Sequence, residues 1–301
     1  MPAVQPSGQA RVVPRPPQPG DTLGIIAPGS VITAEALRAG CAQLEESGFK
    51  TFYFDSILEK DLYFAGSHER RARELEKMFS RDDIAGIVCA RGGYGCNHLL
   101  PLINLDVIRK YPKFFMGYSD VTTLLTYFCD QAGLVTYHGP MVAKDFADGH
   151  PWPDISGSLN VEAEALRLGQ AQGILYGGCL SMLAASLGTP YEMQTAGAIL
   201  FIEDVNTKPF QIDRMLMQLK LAGKLNDIHA FVFGQMLDCV QPGGQDYKLQ
   251  DVILRTIGDL NVPIAYGAPF GHVAAPPNLA MPLGIKVSVN ITANRFAITP
   301  A

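Results

Sequence analysis

Three stretches in the first half of this chain are apolar without interruption, and each runs out at a glycine. They are Leu23–Ala27 before Pro28-Gly29-Ser30, Ile84–Ala90 before Arg91-Gly92-Gly93, and Phe114–Met116 before Gly117. A strand with one wet face alternates polar and apolar residues; one that is apolar at consecutive positions is buried on both faces, as in a parallel sheet covered by helices on each side. The segments between these runs have the helical period instead. Thr33–Ser47 carries Ala36, Leu37, Cys41 and Leu44 on one side and stops at Gly48, and Ser67–Phe79 carries Leu75, Met78 and Phe79. Phe49–Phe54 reads as a further strand, Leu99–Tyr111 as partly helical, and Asp120–Gln131 as a helix with Val121, Leu124, Leu125 and Phe128 inward. Strand and helix alternating in this way predict an open parallel sheet, whose ligands sit beyond the carboxyl ends of the strands. The loops 28–30, 91–95 and 117–120 share that edge.

A second unit follows. Val135–Pro140 reads as a short strand and turn, and Lys144–Asp154 is rich in Asp, Pro and His around Trp152. The division expected is a Pro-rich arm over 1–19, a first α/β domain over 20–145, a linker over 146–175 and a second domain over 176–301. Within the later part, Ser156–Leu168 reads as an amphipathic helix, and a glycine-rich stretch over Gly177–Leu183 opens the second domain. Ala198–Ile202 is a strand delivering Glu203, Asp213–Leu225 a helix, Ile228–Met236 a strand and Leu249–Leu260 a helix. Val262–Gly267 is a strand before Phe270-Gly271-His272, Met281–Gly284 a turn, and the alternation over Lys286–Thr292 and Arg295–Ile298 an antiparallel hairpin.

Composition excludes several function classes. With 48% hydrophobic and 18% charged residues the chain is compact and ordered. A net charge of −5 without a basic block argues against a nucleic-acid partner, because phosphates are neutralised by clustered Lys and Arg. The apolar runs are strand-sized, far short of the roughly 20 residues of a membrane span. The N-terminus lacks the basic-then-apolar pattern of a secretory signal, so a cytoplasmic location is expected. Six scattered cysteines, with no CxxC pair and no Cys/His cluster, indicate reduced buried thiols, with no metal site and no disulfide.

The polar groups standing at the ends of apolar strands are Ser119, Glu203 and His272. They are a nucleophile, a carboxylate and an imidazole. A serine hydroxyl reacts only when a base takes its proton, and an imidazole does this best when a carboxylate fixes its tautomer. Each also has a plainer reading. Ser119 before Asp120 suits a helix N-cap, Glu203 a turn or cap, and His272 a loop imidazole satisfied by backbone. The Arg91-Gly92-Gly93-Tyr94-Gly95 loop could aim the Gly93 N–H, with that of Asp120, at a developing oxyanion; it could equally be a tight turn. It is neither a Walker motif nor a dinucleotide fingerprint. Arg91 is a candidate for gripping a substrate carboxylate, or for pairing with a nearby acid.

From about Pro17 to Ile298 the chain resembles the LD-carboxypeptidases, or muramoyltetrapeptide carboxypeptidases, the S66 serine peptidases. The resemblance rests on Pro19-Gly20-Asp21, Ala90–Gly95, Gly117-Tyr118-Ser119-Asp120, Gly177–Ser181, Ile202-Glu203-Asp204, Ile212–Leu216, Phe270-Gly271-His272 and Pro282-Leu283-Gly284. It implies a flavodoxin-like parallel-sheet N-terminal domain and a smaller swivelling α/β C-terminal domain, with the active site between them. Ser119 is then the nucleophile, His272 the base, Glu203 its carboxylate, and the Gly93 and Asp120 N–H groups the oxyanion hole. The resemblance further implies release of D-Ala from murein tetrapeptides without metal or other cofactor, by a cytoplasmic homodimer of peptidoglycan recycling. Two rivals stand beside it. One is an immunity-type hydrolase of peptidyl-nucleotides such as microcin C, which an adenine-stacking aromatic in a loop of the second domain would favour. The other is a non-catalytic sensor of cell-wall peptides.

Overall fold

The computed structural model describes residues 11–301, so residues 1–10 of the expected arm lie outside the described residues. Five strands, β1 (Thr22–Ile26), β2 (Lys50–Phe52), β3 (Gly86–Cys89), β4 (Phe114–Gly117) and β5 (Thr136–His138), run parallel in the order β2-β1-β3-β4-β5. This is the flavodoxin-like order, and β3 and β4 are buried along their whole length. Helices α1 (Ala34–Glu46) and α2 (His68–Ser80) start at Thr33 and Ser67, whose hydroxyls accept from the N–H of Ala36 and Arg70. Helices α3 (Leu105–Lys110) and α4 (Thr122–Tyr127) complete this unit. The helix expected over Asp120–Gln131 is irregular, with a 3₁₀ turn over Ser119–Val121 before α4 and a π turn over Phe128–Ala132 after it.

The second sheet has eight strands: β6 (Leu159–Glu162), β7 (Glu164–Arg167), β8 (Gly169–Cys179), β9 (Ala198–Glu203), β10 (Ile228–Gly234), β11 (Ile264–Ala268), and, after β12 (Met281–Leu283), β13 (Lys286–Thr292) and β14 (Arg295–Pro300). Its order is β6-β14-β13-β8-β9-β10-β11-β7, with β8 to β11 parallel in the middle. Helices α5 (Leu180–Ala185), α6 (Pro209–Leu221) and α7 (Leu249–Ile257) belong with it.

Three expectations are corrected. Ser156–Leu168 is not a helix: Leu159–Glu162 pairs with β14 and Glu164–Arg167 with β11. The run Glu162-Ala163-Glu164-Ala165-Leu166 is made of good helix formers, and sheet pairing overrides that preference. The expected linker over 146–175 is accordingly shorter, since residues 159–162, 164–167 and 169–175 are strand. Met281–Leu283 is not a turn but the antiparallel edge strand β12, which pairs with β5 and so carries late chain into the first sheet.

Close backbone approach joins the two sheets beside α4. A Cβ on Gly178 would lie 2.5 Å from Thr122 Cγ2, and the Cys179 N–H donates to Thr122 Oγ1 at 3.1 Å. The helix that follows Ser119 is thereby docked on β8.

Candidate active site

The three loops expected at one sheet edge meet there. Ser30 N donates to Gly92 O at 2.9 Å, and Tyr94 N donates to Ser30 Oγ at 3.0 Å. Asp120, 1% exposed, accepts from Cys96 N at 2.9 Å through Oδ2. Burial pushes the Asp120 carboxyl up, against the hydrogen bond from Cys96. The buried Arg71 guanidinium donates to Gly95 O at 3.1 Å, to Gly66 O at 3.2 Å and to Pro28 O, tying three loops to α2. So the glycine loop is held from both sides.

Ser119 stands at the end of β4 with φ +60°, a left-handed conformation that costs a non-glycine residue about 1–3 kcal/mol. Tyr118 holds the cap position of the 3₁₀ turn and Ser119 is the first residue within it, so the N-cap reading fails. A Cβ on Gly92 would sit 3.0 Å from Ser119 Cβ and 3.1 Å from Asp120 N, which places the glycine loop directly against the nucleophile candidate. Gly93 has φ +80°, and among the described residues its N–H donates to no backbone carbonyl.

Glu203 and His272 are brought together from β9 and from the loop after β11. His272 Nδ1 lies 2.6 Å from Glu203 Oε2, and the His272 backbone N–H donates to the same oxygen at 3.2 Å. Glu203 is held in its ionised form and can only accept, so the imidazole bond runs from Nδ1–H to the carboxylate, which leaves Nε2 of the neutral ring as the acceptor. Burial works against both charged forms; the mutual attraction and hydrogen bonds outweigh it, holding Glu203 below and His272 above their usual ranges. Tyr118, the residue before Ser119, sets its ring edge-on to His272 with centroids 4.9 Å apart. The serine turn and the imidazole therefore share one wall, although no hydrogen bond joins Ser119 to His272.

Gly271 is required by this geometry. It has φ +79°, and a Cβ there would lie 2.4 Å from Glu203 Cγ. Gly271→Ala is expected to cost about 2 kcal/mol from strain and overpacking together. Thermal unfolding of the purified variant reads this as a lower Tm.

Arg91 is exposed and, among the described residues, donates only to Val31 O, at 3.4 Å, and pairs with no acid. Sequence reasoning missed three groups nearby. Asp145 and Asn278, each 3% exposed, are hydrogen-bonded to each other and to the walls of the site. His138, fully buried beside Glu203, is lowered to about 4 by burial and stays neutral. Nothing in the local sequence marks these three.

Residues 23–139 match the family model of the LD-carboxypeptidase N-terminal domain, and residues 172–289 that of the LD-carboxypeptidase C-terminal domain. The chain belongs to the LD-carboxypeptidase family. It is accordingly a serine-type carboxypeptidase, a hydrolase. Among the relatives of this LD-carboxypeptidase is the probable murein peptide carboxypeptidase of Bacillus subtilis, 37% identical over 94% of this chain and 92% of the relative. The microcin C7 self-immunity protein of Escherichia coli is 27% identical over 93% of each chain. The crystal structure of muramoyltetrapeptide carboxypeptidase from Oxalobacter formigenes superposes with a TM-score of 0.83 at 26% identity, covering 92% of this chain and 97% of that one. The two-domain α/β architecture expected from the sequence is thus that of the family.

Proposed function

We propose that this enzyme releases terminal D-Ala from murein tetrapeptides, L-Ala-D-Glu-meso-diaminopimelate-D-Ala, through an acyl-enzyme on Ser119. The observation that carries this is the strained Ser119 turn set beside the 2.6 Å His272–Glu203 pair. In the first half-reaction Ser119 Oγ attacks the carbonyl of the L-centre while His272 Nε2 takes its proton. The Gly93 and Asp120 N–H groups receive the developing oxyanion. His272 then returns the proton to the departing D-Ala amine, and a water repeats the sequence to free the peptide. Glu203 keeps Nδ1 protonated and stabilises the imidazolium. Arg91, exposed and without an acidic partner among the described residues, is assigned the terminal carboxylate.

The setting proposed is a cytoplasmic homodimer of peptidoglycan recycling that uses no metal. No helix among the described residues is long and apolar enough to cross a membrane. The second reading, a hydrolase of peptidyl-nucleotides, draws on the likeness to the self-immunity protein. The single tryptophan does not supply its stacking surface, since Trp152 packs on Phe49, with ring centroids 4.5 Å apart, and stacks on Phe146, but Tyr247 stands exposed in the loop between β10 and α7.

Incubation with the tetrapeptide, followed by mass spectrometry of free D-Ala, tests the proposal. Release that survives a chelator is the expected result. An inert wild type that instead cleaves a peptidyl-nucleotide would transfer the assignment, and tight peptide binding without turnover would favour a sensor.

A further inference from the structure

Asn278 and Asp145 are 133 residues apart and meet in the buried wall behind His272. Asn278 Oδ1 accepts from Gly271 N at 3.0 Å, while its Nδ2 donates to Gly271 O at 2.9 Å and to Asp145 Oδ1 at 3.0 Å. Only this orientation of the amide satisfies all three partners, so it is fixed by the network. Asp145 Oδ2 accepts from Met141 N at 2.9 Å, and its Oδ1 accepts from the Tyr118 hydroxyl at 3.3 Å. A continuous circuit of side chains therefore runs from the residue before Ser119 to the residue before His272. Apart from the edge of the Tyr118 ring on His272, it touches neither reacting group.

The composition of this circuit is costly for a purely structural contact. Asp145 is a carboxylate 3% exposed with no Lys or Arg against it among the described residues, held by hydrogen bonds alone. Apolar residues of similar volume usually fill such a place at less cost. What the polar groups add is direction: the Gly271 peptide is gripped at both its N–H and its C=O. On the opposite side Gly271 lies against Glu203 with no space for a Cβ. The turn carrying the imidazole is thus clamped between Glu203 and Asn278.

We propose that Asn278 and Asp145 are positioning residues that hold the His272 turn in register with the Tyr118-Ser119 strand end. The inference rests on the assignment of His272 as general base, and its test separates the two. Asn278→Ala removes the grip on Gly271. Asp145→Asn keeps the side chain's volume and leaves one of its donors facing another donor whichever way its amide turns. Tyr118→Phe removes a single 3.3 Å bond and keeps the ring on His272.

For the first two variants kcat for D-Ala release should fall about 10–100-fold, the usual effect of losing a supporting partner, with KM within about threefold. For Tyr118→Phe the fall should stay under about fivefold. A loosened imidazole also loses part of its bond to Glu203, so the acidic limb of kcat/KM should move to lower pH. The groups facing His272 are Glu203, Asp204, Lys144, His138 and Tyr118, and none of them is altered in the first two variants. The third measurement is the low-field proton resonance of the His272 Nδ1–H to Glu203 bond, expected in the wild type and broadened or lost in both variants. It needs no substrate.

Folded variants that keep kcat, the limb and the resonance overturn the proposal, as does a loss of activity that follows only a loss of Tm with the limb fixed. Should Asn278→Ala fail to fold, Asp145→Asn decides. A wild type that shows the resonance yet releases no D-Ala refutes the substrate assignment and leaves the positioning role to be read from the resonance alone.

Discussion

Ser119→Ala is expected to lower kcat/KM for D-Ala release by about 10⁴-fold or more, since the variant lacks the hydroxyl to which the acyl bond is assigned. The same substitution should leave stability nearly unchanged, because Ser119 lies within the turn and not at its cap position, and alanine at φ +60° carries the same strain as serine. Ser119→Gly separates the two consequences. It also removes the nucleophile, but glycine adopts this conformation freely, so folding should gain about 1 kcal/mol and Tm should rise by about 2 °C. Such a gain marks a residue kept for chemistry at the expense of stability. Calorimetry of the two variants beside the wild type, with D-Ala release measured on each, checks both statements. Substantial release by Ser119→Ala would end the acyl-enzyme mechanism, and a lower Tm for Ser119→Gly would mean that the turn is stabilised by the side chain after all.

What the sequence discloses follows the range of the interactions involved. The parallel strands of the first sheet are legible because burial on both faces makes each of them apolar at every position, as at Ile87-Val88-Cys89 and Phe114-Phe115-Met116. Two strands of the second sheet are not. Leu159–Glu162 and Glu164–Arg167 are flanking strands with one outward face, and their Glu and Ala residues imitate a helix until β14 and β11 pair with them. Met281–Leu283 has three residues, one of them Pro282, and is a strand only because Thr136–His138 lies beside it.

The site divides in the same way. Ser119, Glu203 and His272, the proposed triad, can be singled out because each follows an apolar run, and strand ends are where a sheet of this kind exposes its chemistry. The asparagine and aspartate behind them cannot. Asp145 lies in a stretch of Asp, Pro and His that has the composition of a wet loop, and Asn278 follows Pro276-Pro277 in another. Their burial comes from contact with each other across the two halves of the chain, which no local pattern records.

The second large effect concerns Glu203, and it separates orientation from charge. Oε2 accepts from both Nδ1 and the backbone N–H of His272, so a glutamine at this position must present its oxygen there and turn its amide group towards the place of Oε1. Glu203→Gln then preserves the tautomer of His272 and loses only the negative charge that stabilises the imidazolium. A loss of about 10²–10³-fold in kcat is expected, the size of a preorganised electrostatic contribution. Glu203→Ala gives up the orientation as well and should lose about 10⁴-fold. The pH dependence distinguishes charge from packing. In the wild type burial alone would depress His272, and the charge of Glu203 and its hydrogen bond more than reverse this, so His272 lies above its ordinary value. Only the neutral imidazole accepts a proton, so kcat/KM rises with pH through that raised pKa. Without the carboxylate charge, burial remains, and the limb should move to lower pH even as the plateau falls. A limb that stays in place in Glu203→Gln, or moves upward, would show that Glu203 does not face the working base, and the assignment of His272 would fall with it.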